Sequence, residues 1–278
     1  MSAQTQDRMY RALAVAGLTV LFLVMVGPLA LVAINSFKTE AEYTQGGPLA
    51  LPQSLTMDNL IMTWQKVDYT TKLTNSFIIS LSSALLALAI SLLNAFALGI
   101  GRIPGKTFFL IFFIVAITLP NEALIYPLYF MFKAVGLYDT RLSVILILAA
   151  LNSAFGTYLL TSVFTAFPRE LTEAARIDGC GKLQMLWSIV IPISVPALSV
   201  LFVFFFIWTW NEFFLPLIFL ISNDNQTVPL AMAMARGERG VVITTQSAAA
   251  LLGVLPCIIF FFLFQRTLTR GVTAGAVK

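Results

Sequence analysis

Two acidic residues stand inside long apolar runs of this 278-residue chain, and each follows an asparagine, as Asn121-Glu122 and Asn211-Glu212. An ionisable side chain at membrane depth is costly and is a functional candidate by default. Carboxylate and amide groups donate and accept hydrogen bonds in several directions, and the neighbouring Trp210 could stack on a sugar ring. These side chains are candidate solute contacts on a translocation path. The alternative interpretation is that these groups form hydrogen bonds with neighbouring helices or lie near the outer boundary of the membrane.

A second group of charged residues lies in a hydrophilic stretch at 166–194, between two apolar runs. Pro168 suits the first turn of a helix and Gly179 suits its end. Glu170 and Glu173 fall near the helix N-terminus, where carboxylates are favoured by the helix dipole. The pattern predicts a short helix from Pro168 to Gly179.

The small apolar residues of this predicted helix indicate how it could make contact. Leu171, Ala174 and Ala175 follow an i, i+3, i+4 spacing, which places them on one face. One interpretation is an amphipathic helix that lies on the membrane surface. The other is a helix that docks into a groove of a partner protein, with Gly179 allowing close approach of the backbone.

The elements that must position these residues are membrane helices. The chain is 59% hydrophobic and 11% charged, whereas soluble domains carry roughly 25% charged residues. A spanning helix needs about 20 apolar residues, and six stretches meet or approach that length. The expected fold is an all-α polytopic membrane domain over residues 1–278, with spans at 12–34, 76–100, 108–132, 142–164, 195–221 and 246–264.

The distribution of Lys and Arg predicts the orientation of the spans. With a cytoplasmic N-terminus, ten of the 17 Lys and Arg residues lie inside, and the short connection at 101–107 is basic and acid-free. An even number of spans leaves both termini cytoplasmic. The hydrophilic stretch at 166–194 is then a cytoplasmic loop between the fourth and fifth spans.

Several kinds of chemistry are not expected from this sequence. It has no histidine, and its two cysteines are far apart, so neither a common zinc site nor His-based catalysis is indicated. The run Gly101–Thr107 lacks a P-loop, because Ile100 stands where the first glycine of that motif belongs. The sequence also lacks the stripe of basic residues that would indicate nucleic-acid binding. We expect no bound metal or nucleotide.

The loop at 166–194 carries a resemblance to a known family. Glu173-Ala174-Ala175, followed by Asp178-Gly179, resembles the EAA loop of the membrane subunits of ATP-binding-cassette (ABC) importers. Its position before the second-last span is also that of the family. Two further runs resemble the carbohydrate, maltose-permease-like branch, namely Trp210-Asn211-Glu212-Phe213 and the C-terminal residues 270–278.

This resemblance implies a type I importer in the bacterial or archaeal plasma membrane. Such an importer has two membrane subunits, two ATPase subunits that hold ATP and magnesium, and an extracytoplasmic solute-binding protein. The chain itself would be no enzyme. It would form half of the path for a sugar or sugar-like solute, and its C-terminal tail would reach the ATPase subunits. The residues implied in coupling to the ATPase are Glu173, Ala174, Ala175, Asp178 and Gly179.

The main alternative function is an ion-coupled secondary transporter that uses Glu122 and Glu212. Its transport would survive ATP depletion and collapse with the ion gradient. Six spans without a visible repeat are unusual for that class. A membrane-embedded enzyme would need a catalytic constellation, and the sequence contains none that we recognise.

Overall fold

In the computed structural model, the structure describes residues 3–101, 103–234 and 242–276, with side chains described for residues 9–101, 103–234 and 242–266. Within these ranges the regular elements are helices and no strand occurs. Arg102 in the basic connection at 101–107 lies outside the described residues. Arg236, Glu238 and Arg239 lie outside them too, as do the side chains of the tail at 270–278.

The helices follow one another with short connections. Two short non-α turns accompany them, a π turn at Leu186–Val190 and a 3-10 turn at Asn223–Asn225. In chain order the α-helices are α1 (Ala3–Ser36), α2 (Glu40–Gly46), α3 (Asp58–Lys66), α4 (Tyr69–Gly99), α5 (Lys106–Thr118), α6 (Asn121–Ala134), α7 (Arg141–Thr165), α8 (Arg169–Ile177), α9 (Lys182–Met185), α10 (Ile191–Asn211), α11 (Phe214–Phe219), α12 (Val228–Met234) and α13 (Ile243–Ala276).

Five helical stretches of the described chain are long and apolar enough to cross a membrane, and a bent pair, α5 with α6, makes a sixth if it is counted as one span. The all-α polytopic fold predicted from the sequence is therefore confirmed. The five stretches are Met9–Ser36, Tyr69–Gly99, Arg141–Thr165, Lys182–Asn211 and Ile243–Arg266.

The third predicted span, at 108–132, is broken in the middle. The axes of α5 and α6 differ by 96°, and the break falls at Leu119 and Pro120, which have extended backbone angles. Proline has no N–H to continue the helical hydrogen bonds. At 13 and 14 residues, α5 and α6 are each about 20 Å long, too short to cross a bilayer alone.

The fifth predicted span, at 195–221, was placed too far toward the C-terminus. The continuous helical stretch runs from Lys182 to Asn211, and the apolar residues that follow form the separate helix α11. Glu212 has extended backbone angles, and Pro216 supplies no N–H to prolong α10. Hydropathy alone does not register such a backbone break.

A π turn joins α9 to α10 without a loop. The turn at Leu186–Val190 lies directly before Ile191, the first residue of α10, and Pro192 stands in the first turn of that helix. A π turn accommodates one residue more than an α-helical turn. Leu186 and Val190 are buried, so the turn is a packed part of the structure.

The chain forms two compact units. The first comprises residues 1–69 and 231–256. Its interior contains Lys38, which is fully buried and donates to the Asn35 side chain at 2.8 Å and to the Gly47 carbonyl at 3.0 Å. In the same unit the Tyr69 hydroxyl donates to the Leu252 carbonyl at 2.8 Å.

The second unit comprises residues 70–230 and 257–278 and holds the larger core. Small residues let its helices approach closely, as is common in membrane bundles. Side chains from α4, α7, α10 and α13 meet there, and the loop after α7 contributes to the same cluster. Its members include Ala84, Ala87, Ala149, Leu160, Phe164, Ala175, Met185, Leu186, Leu201 and Phe205.

Candidate functional site

The helix predicted from Pro168 to Gly179 is present as α8 (Arg169–Ile177), with Pro168 directly before it. At its end the Gly179 amide donates to the Arg176 carbonyl at 3.1 Å, and the Cys180 amide donates to the Ala175 carbonyl at 2.9 Å. This pair of bonds is a Schellman motif, which needs a left-handed residue after the helix. Gly179 has φ +78° and fills that position.

One face of α8 is anchored in the core. Ala175 is 3% exposed and belongs to the cluster that contains Met185, Leu186 and Val190. These three residues come from the segment after α8. The anchoring fixes the direction in which the opposite face of α8 points.

Beside the buried Ala175, the surface of α8 presents an exposed apolar stripe. Leu171 is 42% exposed and Ile177 is 86% exposed, and Ala174 between them is exposed as well. The sequence pattern had placed Leu171, Ala174 and Ala175 on one contact face. Ala175 differs from the other two because its side chain is buried, and the exposed apolar surface continues through Ile177 instead. The role of Ala175 in coupling stays a prediction. We call Leu171, Ala174 and Ile177 the exposed stripe.

The acidic residues implied in coupling surround the exposed stripe. Glu170, Glu173 and Asp178 are exposed, and Asp178 follows the last helical residue while its amide donates to the Ala174 carbonyl at 2.9 Å. Glu173 also borders a cavity at the side of α8. The loop therefore combines an apolar stripe with carboxylates on a rigid, anchored helix.

The two intramembrane Asn-Glu pairs both lie at breaks of a helix. Asn121 and Glu122 form the first turn of α6, directly after the bend at Pro120. Asn211 is the last residue of α10, and Glu212 follows it. Irregular backbone within a membrane is tolerated where it is buried in protein or lines a cavity.

Comparison with known proteins identifies the family. Residues 94–274 match the family described as binding-protein-dependent transport system inner membrane component. The chain belongs to this family. It is therefore a multi-pass permease subunit, and an ion-coupled secondary transporter is not supported.

Named relatives of this permease align over nearly its whole length. It is 29% identical to the inner membrane ABC transporter permease protein YcjP of Escherichia coli, with 94% of each chain covered. It is 30% identical to the probable starch degradation products transport system permease protein AmyC of Thermoanaerobacterium thermosulfurigenes, covering 93% of this chain and 94% of the relative.

A further relative and a solved structure extend the comparison. The sulfoquinovosyl glycerol transport system permease protein SmoH of Agrobacterium fabrum is 31% identical, over 90% of this chain and 88% of the relative. A chain in the crystal structure of a bacterial ABC transporter involved in the import of the acidic polysaccharide alginate superposes with a TM-score of 0.82. That chain is 23% identical, with 96% of the permease and 98% of the solved chain covered, and shares its fold.

In the permease, the carboxylate of Glu212 has a local structural role. Its Oε1 accepts hydrogen bonds from the amides of Phe214 at 2.9 Å and Leu215 at 3.1 Å. These are the free N–H groups at the start of α11, so Glu212 caps that helix. The second carboxylate oxygen has no hydrogen bond among the described residues.

Trp210 and Asn211 are placed differently from each other. Trp210 is 2% exposed, with its ring between Phe206, stacked at 6.0 Å, and Phe260, edge-on at 4.8 Å. Its ring face is thus occupied by protein in this conformation. Asn211 is exposed and donates to the Ile207 carbonyl at 2.8 Å.

The segment after α11 is tied to the rest of its unit. The Asp139 carboxylate accepts from the Ser222 amide at 2.9 Å and also from its hydroxyl, and the Asn75 amide donates to the Gln226 carbonyl at 3.0 Å. Burial favours a higher pKa for Asp139, but the hydrogen bonds from Ser222 outweigh it and hold the pKa below its ordinary value. Hydrogen bonds therefore hold Ser222 and Gln226 of this segment in place.

Proposed function

We propose that this permease is one of two membrane subunits of an importer for a sugar or sugar-like solute, powered by ATP hydrolysis on partner ATPase subunits. The complete assembly contains a second permease subunit, two ABC ATPase subunits that bind ATP and magnesium, and an extracytoplasmic solute-binding protein. It resides in a bacterial or archaeal plasma membrane, and both termini of the chain are cytoplasmic. The permease itself binds no metal, nucleotide or nucleic acid.

The exposed stripe on α8 is the observation that carries this proposal. An apolar face on a short helix is the usual ligand for a hydrophobic groove. Ile177 exposes most of its surface on a helix whose other face is held by Ala175. Such a helix transmits a push to the core as a rigid body, because its movement displaces the packed residues behind it. Glu173, Asp178 and Gly179 frame this docking surface.

The solute class rests on the relatives and on the chemistry of the helix breaks. Relatives of this permease are named for transport of starch degradation products and of arabinooligosaccharides. Asn121, Glu122, Asn211 and Glu212 offer amides and carboxylates beside interrupted helices, which is where membrane transporters place solute contacts. We assign these four residues to the path. Trp210 joins them only if its ring is released from Phe206 and Phe260 in another conformation.

The test of the docking role is co-purification. The permease is expressed with the proteins encoded beside it and isolated through a tag in mild detergent. The ATPase subunit is expected to appear with the wild-type permease. In a Leu171→Glu, Ile177→Glu double variant its recovery is expected to fall at least tenfold, since burying each of these side chains contributes about 1.5–3 kcal/mol.

A matched variant distinguishes docking from misfolding. Ile177→Leu keeps the volume and the apolar character of the exposed side chain, and it is expected to retain the ATPase subunit. Because Leu171 and Ile177 lie outside the core, the double variant is expected to reach the membrane at the wild-type level. Full recovery of the ATPase with the double variant would contradict the proposal. Uptake of labelled oligosaccharides by vesicles, with and without ATP, then tests the solute class.

A further inference from the structure

A cavity of about 380 Å³ lies beside α8, where α4 and α7 end and α5 begins. Three cationic side chains border it, Lys106, Arg169 and Arg176, together with the carboxylate of Glu173. The two threonines Thr165 and Thr172 add hydroxyl groups. The remaining walls are apolar and comprise Leu98, Ile100, Ile103, Phe164 and Phe167, with Gly99.

The cations around this cavity have unused hydrogen-bonding capacity. The Lys106 ammonium donates to the Thr165 hydroxyl at 2.9 Å, which leaves two of its three N–H groups. The guanidinium groups of Arg169 and Arg176 have no ion-pair partner within the part of the chain that the structure describes. Three cations facing one carboxylate give the cavity a net positive charge.

The position of the cavity indicates the kind of anion. The spans α4 and α7 end at Gly99 and Thr165 and α5 begins at Lys106, so the cavity lies at the level where hydrocarbon gives way to headgroups. A free anion would use the cations and leave the apolar walls without a partner. A phospholipid phosphate, with its glycerol and the start of its acyl chains, would use both.

We propose that this cavity binds the phosphate of an anionic membrane lipid, held by Arg169, Arg176 and Lys106 with the apolar walls against the lipid's glycerol and upper acyl chain. Basic pockets between membrane helices bind lipid headgroups in this way. The lipid would contact α8 through Arg169 and Arg176, on the side away from the exposed stripe, and Glu173 would lie at the border between the two surfaces. It would therefore bind whether or not α8 docks an ATPase.

The test measures lipid binding to the purified assembly by native mass spectrometry. Dioleoylphosphatidylglycerol and dioleoylphosphatidylcholine are titrated in neutral detergent. The wild type is expected to bind the anionic lipid with at least a fivefold lower half-saturating concentration. Arg169→Gln and Arg176→Gln are each expected to raise that concentration about fivefold, the effect of one basic residue near an anionic lipid.

Matched variants separate a built site from general surface charge. Lys182 is exposed on the same loop and does not border the cavity, so Lys182→Gln is expected to leave binding unchanged. Arg176→Lys keeps the charge and is expected to retain most of the binding. If Lys182→Gln weakened binding as much as Arg176→Gln, or if the wild type showed no preference for the anionic lipid, the proposal would be wrong.

Two further measurements identify other occupants. Inorganic phosphate and glycerol phosphate are added as competitors, and neither is expected to displace the lipid at equal concentration. Displacement by either would overturn the lipid assignment in favour of a soluble anion. The titration is then repeated on the permease with and without its ATPase subunits. If the preference for the anionic lipid disappeared when the ATPase is present, acidic groups of the ATPase would be the partners of these cations. That result would overturn the proposal.

Discussion

Gly156 on α7 lies directly against Ser91 on α4, so closely that a Cβ atom at Gly156 would overlap the Ser91 side chain and lie 2.7 Å from the Phe205 ring on α10. The three helices meet at this point because residue 156 has no side chain. We expect Gly156→Leu to lower the free energy of unfolding by about 1–3 kcal/mol, the usual cost of overpacking a core.

Thermal unfolding of the detergent-solubilised permease measures this effect. Gly17→Leu on α1 is the matched control, because a Cβ atom at Gly17 meets no heavy atom within 4 Å. The control is expected to unfold at the wild-type temperature. Equal stability of the two variants would mean that α4, α7 and α10 do not pack as described.

Gly179 is required by its backbone angle. A Cβ atom there would meet nothing within 4 Å, but φ is +78°, and a left-handed residue with a side chain costs roughly 1–2 kcal/mol. We expect Gly179→Ala to fray the end of α8, with faster hydrogen exchange at Asp178 and Cys180. Gly181→Ala is the control, since Gly181 has φ −66° and equally open surroundings. Gly179→Asn is expected to be milder than Gly179→Ala.

The hydrogen bond between Asn152 and Thr209 joins α7 to α10. The Asn152 amide donates to the Thr209 hydroxyl at 3.3 Å, and polar side chains commonly link membrane helices in this way. Such bonds within membranes contribute about 0.6 kcal/mol on average. A double-mutant cycle with Asn152→Ala and Thr209→Val is expected to give a coupling energy of about that size. A coupling energy of zero would show that the two groups do not interact.

Asp139 makes the order of the segment after α11 depend on pH. The pKa of Asp139 is lowered in the folded state. Its hydrogen bonds to Ser222 therefore stabilise the fold fully at a pH above 3.8, the ordinary pKa of the carboxyl group. This stabilisation is lost as the pH falls through the lower pKa of the folded state. Hydrogen exchange of residues 219–227, corrected for intrinsic rates, is expected to accelerate in that range. Asp139→Asn is expected to make hydrogen exchange of these residues faster at neutral pH. It is also expected to remove the further acceleration at low pH.

Asparagine is the appropriate replacement because Asp139 has φ +59°, a conformation that asparagine tolerates better than most residues. Asp224→Asn serves as the control, since the Asp224 side chain is exposed and makes no hydrogen bond among the described residues. The control is expected to keep the wild-type response to acid. An identical response in Asp139→Asn would rule out the carboxylate of Asp139 as its cause.

The spans could be predicted from the sequence because apolar length is a local property. The bend at Pro120 can also be predicted from the sequence, because Pro120 and the charged Glu122 interrupt an apolar run. The end of α10 was not, because Phe213 and Phe214 continue the apolar composition through a backbone break. That break depends on the hydrogen bonds of the Glu212 side chain, which hydropathy does not include.

The exposed face of α8 could be predicted only in part. The limits of α8 followed from Pro168 and Gly179, which have local conformational reasons to stand there. Ala175 is buried in a cluster that also contains Met185 and Leu186 of the next segment, and a local sequence pattern does not include such tertiary packing. The sequence did contain the alternative spacing Leu171, Ala174 and Ile177, but nothing local to α8 chooses between the two faces.

The π turn at Leu186–Val190 sets the angular position of α8 about the axis of the fifth span. Each residue of an α-helix advances its side chains by about 100°, and the turn holds one residue more than an α-helix would. Deleting a single residue from this turn would permit an uninterrupted α-helix. It would also swing everything on the N-terminal side, including Ile177, by about 100° around α10. The length of the segment between α8 and α10 therefore determines the orientation of α8. Trp187 and Ser188 in this segment are exposed, but insertions and deletions there are expected to be poorly tolerated, because they would rotate α8.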